Sequence, residues 1–206
     1  VVSNLSGSSV SVLKNVGNGQ FAAKVDFATL ASPRWIALGD LDGDGVADLA
    51  VSCGGVSGFV SVLPNSGNGT FNARFDHAVN GEARGVAIGD LTGDGKPDLA
   101  VVSYASTGNV SVFRNIGTGF FAPKVDYETR PYPHALAIAD LNGDGSLDFA
   151  VTHSGGTVSV LRNLGTGVFA ARVDYSARGR ESPIAIGDVD ADGLPDLVVT
   201  NGGPDS

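Results

Sequence analysis

Aspartate residues recur in this chain at a spacing that suits metal coordination. The loop Asp40-Leu-Asp-Gly-Asp-Gly-Val-Ala-Asp48 (loop one) returns with small changes from Asp90 (loop two), Asp140 (loop three) and Asp188 (loop four). The carboxylates at loop positions 1, 3, 5 and 9 converge when the backbone winds tightly. An all-oxygen donor set of this kind matches a hard cation that takes six to eight oxygens, as Ca²⁺ does. The sequence therefore predicts up to four calcium sites.

The predicted ligands are the acidic or amide side chains of each loop and one main-chain carbonyl at position 7. A glycine at position 6 provides the sharp turn. Mg²⁺ is a poor match because it prefers rigid octahedral sites that keep several waters. Loop two is expected to bind most weakly because Thr92 contributes no charge. The predicted ligands are Asp40, Asp42, Asp44, Val46 and Asp48; Asp90, Thr92, Asp94, Lys96 and Asp98; Asp140, Asn142, Asp144, Ser146 and Asp148; and Asp188, Asp190, Asp192, Leu194 and Asp196.

These loops differ from an EF-hand at the position that would close the coordination. An EF-hand carries a Glu at position 12, whereas every loop here has a valine there, within strand sequence. The aspartate at position 9 (the closing aspartate) must therefore complete the site, and the loop must join two strands. A metal-free acidic turn is the alternative, but three or four carboxylates packed together without a cation repel one another.

The acidity of the chain belongs mainly to these loops. Fourteen of the 22 acidic residues lie in them, and the net charge is -9. Outside the loops 13 Lys and Arg face eight acidic residues without forming a basic cluster, so a nucleic-acid partner is not expected. No apolar run approaches the roughly 18 residues of a membrane span. Cys53, the only cysteine, is predicted to be a small buried side chain.

The loops belong to a repeat of about fifty residues that fills the chain. Their starts are 50, 50 and 48 residues apart, and the segment Asn15-Val-Gly-Asn-Gly-Gln-Phe21 recurs in step. Each repeat is predicted to hold four short strands, for example Ile36–Gly39, Leu49–Ser52, Val60–Leu63 and Phe71–Asp76. The Val-Ser-Val alternation in the third predicts a half-buried strand. Four short strands per repeat favour an all-β propeller, with a β-solenoid as the alternative.

The predicted architecture is one β-propeller domain over residues 1–206, with four-stranded antiparallel blades. The repeats cover approximately residues 1–50, 51–100, 101–150 and 151–206. The strand sequence Val1-Val2-Ser3-Asn4 matches Val198-Val199-Thr200-Asn201, whereas a closed ring needs a single copy. Two arrangements stay open. One is a closed four-bladed ring; the other is part of a seven- or eight-bladed assembly, formed by a homodimer or a longer repeat array.

The Asp-x-Asp-x-Asp-Gly-x-x-Asp loops and the Gly-x-Gly-x-Phe turns resemble those of FG-GAP and VCBS repeats, as in the head of integrin α subunits and many bacterial surface proteins. The resemblance covers essentially the whole chain. It implies blades of four antiparallel strands, calcium between the first and second strands, and a secreted or cell-surface location. Family members include adhesion modules, fungal lectins and polysaccharide lyases, so the resemblance leaves the function open.

Residues that vary between repeats are the candidates for a site beyond calcium. The two positions that lie six and five residues before each loop should precede the innermost strand, near the mouth of a central channel. The candidate ligand-binding residues at these positions are Arg34, Trp35, Arg84 and His134. Trp35 can either stack on a sugar or fill a blade interface.

Carboxylates outside the loops divide into repeated and variable ones. One aspartate recurs in every repeat, which predicts a structural role such as bonding a turn amide: Asp26, Asp76, Asp126 and Asp174. Glu82, Glu128 and Glu181 vary, and are the candidates for an acid–base pair in glycoside cleavage.

The sequence favours a non-catalytic extracellular module that recognises or adheres to a glycan or a protein. Calcium is expected to be structural in such a module. Two alternatives remain: the propeller of a polysaccharide lyase or hydrolase, and a scaffold without a ligand.

Overall fold

The computed structural model describes residues 1–55, 57–177 and 183–200, and these ranges contain strands and turns but no helix. Accordingly, none of the described segments is a helix that could cross a membrane. The strands form antiparallel sheets that follow one another in chain order. Adjacent sheets contact each other along a line of inner strands, one from each sheet.

The described strands group into five sheets and two small hairpins. The first sheet contains β1 (Val2–Asn4), β2 (Ser9–Val12) and β5 (Val25–Ala28), with the hairpin β3 (Asn15–Gly17) and β4 (Gln20–Phe21) between the last two. The second contains β6 (Pro33–Gly39), β7 (Asp48–Cys53), β8 (Phe59–Leu63) and β9 (Phe75–Ala78).

The third sheet contains β10 (Glu82–Gly89), β11 (Asp98–Tyr104), β12 (Asn109–Phe113) and β15 (Val125–Glu128), with the hairpin β13 (Asn115–Gly117) and β14 (Phe120–Phe121). The fourth contains β16 (Pro133–Ala139), β17 (Asp148–His153), β18 (Thr157–Leu161) and β19 (Val173–Ser176). The fifth is the pair β20 (Ile184–Gly187) and β21 (Asp196–Val199).

The all-β class, the antiparallel four-stranded sheets and the fourfold repetition are confirmed. Among the described strands no hydrogen-bonded pairing joins the first sheet to the β20–β21 pair, and the structure shows no closed ring. The strand sequence that occurs twice forms β1 beside β2 at one end and β21 beside β20 at the other.

Sequence repeats and sheets are out of phase. In the second sheet β6 comes from the first sequence repeat, while β8 and β9 come from the second. The Asp-rich loop is the connection between the first and second strands of a sheet, here between β6 and β7. Each loop therefore joins two sequence repeats into one sheet.

The second strand of each four-stranded sheet is buried along its whole length in β7 and β17, and along all but its last residue in β11. Apolar clusters fill the spaces between neighbouring sheets, one between the second and third and another between the third and fourth. Cys53 is 1% exposed and lies in the cluster between the first and second sheets, as predicted. Burying this apolar surface on both faces favours the stacked arrangement at about 25 cal/mol per Å².

The third strands are more buried than their alternation predicts. Ser61, Ser111 and Ser159 are inaccessible to solvent, although a half-buried strand would expose them. The reason is a hydrogen bond across to the outer strand, where an aspartate accepts from each serine hydroxyl: at 2.6 Å from Ser111 to Asp126, with equivalent bonds from Ser11 to Asp26, Ser61 to Asp76 and Ser159 to Asp174. The repeated aspartates are structural, but they bond serine hydroxyls rather than turn amides.

The predicted starts of one fourth strand and of three first strands are wrong. The fourth strand of the second sheet starts at Phe75, because Phe71 instead bridges back to Asn65 across the glycine-rich turn. The first strands of the three four-stranded sheets start three or four residues earlier than predicted, at Pro33, Glu82 and Pro133, whereas β20 has the predicted bounds Ile184–Gly187. Each of the three contains a β-bulge, for example between Pro33 and Ile36, where the pairing register shifts.

His153 is a buried residue at the end of β17. It lies five residues after the closing aspartate of its loop, a repeat position that Cys53 and Ser103 occupy in the other sheets. It is 3% exposed. Burial lowers the pKa of His153 to about 4, although the Asp174 carboxylate and the carbonyl groups of Pro131 and Arg130 oppose that shift. The neutral imidazole is therefore the form that the folded protein accommodates.

We predict that His153 makes the fold acid-sensitive. Its ordinary pKa is near 6.5, so its contribution is complete above pH 6.5 and is lost as the pH falls towards 4. Between pH 7.5 and 4.5 the free energy of unfolding should fall by about 2.5 kcal/mol more in the wild type than in His153→Ser. Urea denaturation of both proteins in EDTA measures this difference. Both proteins contain the same carboxylates, so the pH dependence that these groups cause cancels when the two are compared. Parallel pH profiles would contradict the prediction.

Candidate functional site

The first aspartate of each loop holds the turn together. In loop one, Asp40 accepts from the amides of Gly43 and Gly45 at 2.8 and 2.9 Å. Loops two and three repeat both bonds, and in loop four the amide of Gly193 donates to Asp188 at 2.9 Å. The glycines at position 6 have φ between 81° and 87°, a backbone conformation that residues with a Cβ rarely adopt.

The closing aspartates of loops one to three are buried at the first residue of the second strand. Asp48, Asp98 and Asp148 are 1%, 0% and 0% exposed. The Asp48 carboxylate accepts from the amide of Leu41 in its own loop at 2.9 Å. It also accepts from the amide of Asn65, in the Asn-x-Gly turn, at 2.7 Å. Each closing aspartate therefore ties the loop to the turn that follows the third strand.

Carboxylates converge in loops one and four. Asp40, Asp42 and Asp48 present oxygens that lie within 4.8 Å of one another, and so do Asp188, Asp190 and Asp196. These are the groups of three acidic side chains that meet this distance among residues 1–55, 57–177 and 183–200. Each triad combines positions 1, 3 and 9 of its loop.

Position 5 lies outside these triads. Asp44 and Asp192 are exposed, and each accepts from the amide of the position 7 residue, Val46 or Leu194, at 2.8 Å. Asp94 and Asp144 accept in the same way from Lys96 at 3.0 Å and from Ser146 at 2.9 Å. Metal ligation by the position 5 carboxylates and the position 7 carbonyls stays a prediction.

Side chains within loops two and three donate hydrogen bonds to the position 5 carboxylate, and the donor in loop two also carries a positive charge. The Lys96 ammonium group lies 3.0 Å from Asp94, and this hydrogen bond is the main cause of the lowered pKa of Asp94. In loop three the amide of Asn142 donates to Asp144 at 2.9 Å. Lys96 is thus a second reason, beside Thr92, to expect the weakest binding in loop two.

The donor chemistry fits calcium. Burial raises the pKa of Asp48, and the nearby carboxylates of Asp42 and Asp44 raise it further. Burial also raises the pKa of Asp98 and of Asp148, again with additional repulsion from carboxylates of the same loop. A divalent cation among these oxygens would remove both penalties.

The second predicted site lies at the other end of the first strands. Arg34, Trp35, Arg84 and His134 occupy the bulges of β6, β10 and β16, rather than loops before these strands. At the bulges, some main-chain amides do not bond to the neighbouring strand's main chain. Side-chain hydroxyl groups of the second strands accept hydrogen bonds from two of these amides. Ser52 accepts from the amide of Trp35 at 3.0 Å, and Thr152 from the amide of Ala135 at 3.2 Å.

An ion-pair network links the second and third sheets at this end. Glu82 pairs with Arg34 on one side and lies 3.6 Å from Arg84 on the other. The Arg84 guanidinium group stacks over Tyr104 at 4.0 Å from the ring centroid, and Tyr104 lies 5.2 Å from Tyr132. Glu82, a predicted candidate for catalysis, therefore bridges two arginines instead of facing a second carboxylate.

Trp35 and His134 meet across the third sheet. Their ring centroids are 6.0 Å apart at an interplanar angle of 85°. The strand between them carries Gly85, where an added Cβ would come within 2.7 Å of the Leu136 amide nitrogen. Trp35 packs against the core between the second and third sheets while staying partly exposed. We call Arg34, Trp35, Glu82, Arg84, Tyr104, Tyr132 and His134 the aromatic–arginine cluster.

The remaining variable carboxylates form no acid–base pair among the described residues. Glu128 is 83% exposed at its side chain and lies 3.3 Å from Arg172. Glu181 falls outside the described residues. So do Ser182, the repeat equivalent of Arg34, Arg84 and His134, and Asn201, the repeat equivalent of His153.

The Asp-rich loops and the cluster lie at opposite ends of the same strands. In β6 the bulge residues come at the start of the strand, and Asp40 follows its last residue, Gly39. Five to six residues of extended chain separate the two sites, roughly 15–20 Å. A ligand at the cluster would therefore lie beyond direct contact with a cation in the loops.

Comparisons with known proteins agree with this architecture. The chain matches no curated protein. It resembles a chain in a solved structure of the Tc holotoxin pore of Photorhabdus luminescens, with a TM-score of 0.51 and 20% identity, over 97% of this chain and 11% of that one. The model of the FG-GAP-like repeat matches four times, at residues 1–51, 52–101, 93–151 and 140–199. With these four matches the chain belongs to the FG-GAP-like repeat family.

Proposed function

We propose that this chain is a calcium-stabilised β-propeller module that recognises a glycan through the aromatic–arginine cluster. The observation that carries the proposal is the separation of two kinds of position on the same strands. The Asp-rich loops repeat at one end, whereas unlike aromatic and charged side chains gather at the other. Repetition suits a structural metal, and variation suits recognition of a particular ligand.

The carboxylates of loop one would hold calcium through Asp40, Asp42 and Asp48, and those of loop four through Asp188, Asp190 and Asp196. Bound calcium would supply positive charge next to carboxylates that are buried or crowded. Two residues of the loop hold its backbone. Asp40 accepts a main-chain bond within the turn, and Asp48, the first residue of β7, bonds to Leu41 at the start of the loop. The metal is structural in this proposal.

The cluster offers the groups that a sugar requires. Tyr104, Tyr132 and Trp35 present aromatic surface, which is amphipathic and rigid. The guanidinium groups of Arg34 and Arg84 are planar and carry five donors each, more than their shared partner Glu82 can accept from, so they suit directional hydrogen bonds to a sugar as well. A module in which these groups face an extracellular glycan, as a secreted or surface protein, matches the adhesion role proposed here. Ring closure, by this chain or by more repeats, would bring the first strands around one channel.

Two observations weigh against catalysis by this part of the chain. Glu82 is paired with arginines, and Glu128 is paired and exposed, so neither has the opposing carboxylate that glycoside hydrolysis needs. Recognition without cleavage is therefore the function that we favour.

Calcium removal should destabilise the protein. A ligand present at 100 times its dissociation constant adds about 2.7 kcal/mol per site, and 1 kcal/mol moves the melting temperature by about 2–4 °C in a chain of this size. Excess EDTA should lower the melting temperature by several degrees for each filled loop, and added Ca²⁺ should restore it where equal Mg²⁺ does not. Scanning calorimetry makes the comparison; an unchanged melt in EDTA would refute calcium binding.

Loop four contains a strained residue that provides a sharper test of the turn. Ala191 has φ of 63°, at the position held by Gly43, Gly93 and Gly143 in the other loops. A Cβ at any of these glycines would meet no atom within 4 Å. Backbone conformation alone therefore decides the cost of a side chain there.

We predict opposite effects for two single substitutions at this position. Ala191→Gly should raise the free energy of unfolding by about 1 kcal/mol, because a left-handed conformation costs an L residue about that much. Gly143→Ala, its matched control, should lower it by a similar amount. Urea denaturation in saturating calcium measures both. Equal effects of one sign would show that packing rather than backbone strain governs this position.

The ligand proposal predicts selective binding on a glycan array by the calcium-loaded protein. Arg84→Ala and His134→Ala should each reduce binding at least tenfold while leaving the fold intact, as checked by circular dichroism. Arg172→Ala, which changes an arginine immediately before the outer strand β19, is the control and should bind normally. If the folded protein binds no glycan on the array, glycan recognition is refuted, and a protein ligand or a structural role without a ligand is favoured.

A further inference from the structure

Buried asparagines connect the calcium loops of neighbouring sheets. The side-chain amide of Asn115, in the turn of the third sheet, donates to the carbonyl of Leu41 in loop one at 2.8 Å. It also donates to the carbonyl of Pro97 in loop two at 2.9 Å. One amide group therefore holds two loops that are fifty residues apart in sequence.

Both ends of this contact lead to a closing aspartate. The main-chain amide of Asn115 donates to Asp98 at 2.7 Å. On the other side, the amide of Leu41 donates to Asp48 at 2.9 Å. The path from Asp98 to Asp48 thus consists of three hydrogen bonds, joined by the covalent structure of the two residues between them, Asn115 and Leu41.

The same path recurs between loops two and three. Asn163 donates through its side chain to the carbonyl of Leu91 at 2.8 Å and through its main chain to Asp148 at 2.7 Å. Leu91 in turn donates to Asp98 at 3.0 Å. The two paths share Asp98, so one continuous series of hydrogen bonds links the closing aspartates of loops one, two and three.

This series is shielded from water. Leu41, Leu91 and Asn115 are 2% exposed, and Asn163 is 1% exposed. Hydrogen bonds in such surroundings are stronger than in water and costly to leave unmade. A shift of one loop therefore has to be followed by the turn that is bonded to it.

A cleft of about 340 Å³ beside Asn115 is lined by Asp40 and Asp42 from loop one and Lys96 from loop two.

Asn65 provides an internal contrast. It also receives the closing aspartate of its loop, since its main-chain amide donates to Asp48 at 2.7 Å. Its side chain, however, donates to the carbonyl of Ala47 in that same loop at 2.9 Å. Among the described residues it makes no hydrogen bond to the loop of another sheet.

We propose that Asn115 and Asn163 couple the calcium loops, so that a filled loop raises the affinity of the neighbouring loop. The inference rests on the proposed calcium binding. Calcium at Asp98 fixes the position of the Asn115 turn. That turn then holds Leu41, and through it Asp48, in the arrangement that loop one needs to bind metal. Repulsion between two bound cations would act in the opposite direction, but it does not depend on Asn115.

The test compares the calcium affinity of loop one with loop two intact and disabled. Asp94→Ala removes an exposed carboxylate of loop two and leaves the buried path untouched. The amide signal of Gly45, which bonds to Asp40 in loop one, reports the filling of that loop in an NMR calcium titration. Asp94→Ala should raise the calcium midpoint of loop one about fivefold or more, the usual lower range for coupled sites.

The decisive comparison repeats this pair of titrations in two asparagine variants. In Asn115→Ala the effect of Asp94→Ala on loop one should fall below about twofold. In Asn65→Ala, the matched control, loop one itself should bind more weakly while the full effect of Asp94→Ala persists. An undiminished effect in Asn115→Ala, or no effect in the parent protein, would overturn the coupling.

Failure of the underlying calcium proposal looks different, because no loop signal would then respond to calcium in any variant. If Asn115→Ala does not fold, Asn163→Ala applies the same test to loops two and three. In that case Asp144→Ala disables loop three, and the Gly95 amide, bonded to Asp90, reports loop two. Coupling that persists in Asn163→Ala would equally overturn the inference.

Discussion

The closing aspartates of loops one to three place carboxyl groups where water scarcely reaches, and the surrounding fold supplies hydrogen bonds to them. Asp48, Asp98 and Asp148 each begin a buried strand and each accept two main-chain amides. One amide comes from the loop and the other from the glycine-rich turn. An ionised carboxylate in such a place is tolerated only with hydrogen bonds and a compensating charge. The loop and the turn thus stabilise the same buried carboxylate, and this arrangement is repeated in the second, third and fourth sheets.

Polar groups also organise the outer edge of each sheet. The buried serine of the third strand bonds to the aspartate of the outer strand, and a basic residue two positions earlier lies against that aspartate. The basic residues are Lys24, Arg74, Lys124 and Arg172. The apolar clusters between sheets supply burial without direction, whereas each serine–aspartate bond favours one register between the third strand and the outer strand. The side chains at the bulges of the first strands, by contrast, differ from sheet to sheet.

Much of this could be predicted from the sequence because it is repeated. The loop aspartates, the strand order and the turn glycines are local patterns, and fourfold repetition distinguishes them from chance. The roles of Asn115 and Asn163 could not be predicted, since Asn15 and Asn65 share the motif without the contact between sheets. Only the stacking of neighbouring sheets decides which asparagine reaches a second loop. The bulges were likewise missed, because residues such as Arg34 and Trp35 interrupt the apolar pattern that marks a strand.

The phase difference between sequence repeats and sheets has a consequence for how such arrays can change in length. A crossover between two loops, within the Asp-x-Asp segment, joins the first strand of one sheet to the second strand of another. Because every loop forms the same internal bond between its first aspartate and the amide of its position 6 glycine, a recombined loop would still join a first strand to a second strand. Gain or loss of one fifty-residue unit would leave no half-built sheet inside the array. Repeat number could therefore drift during evolution while each intermediate remained foldable.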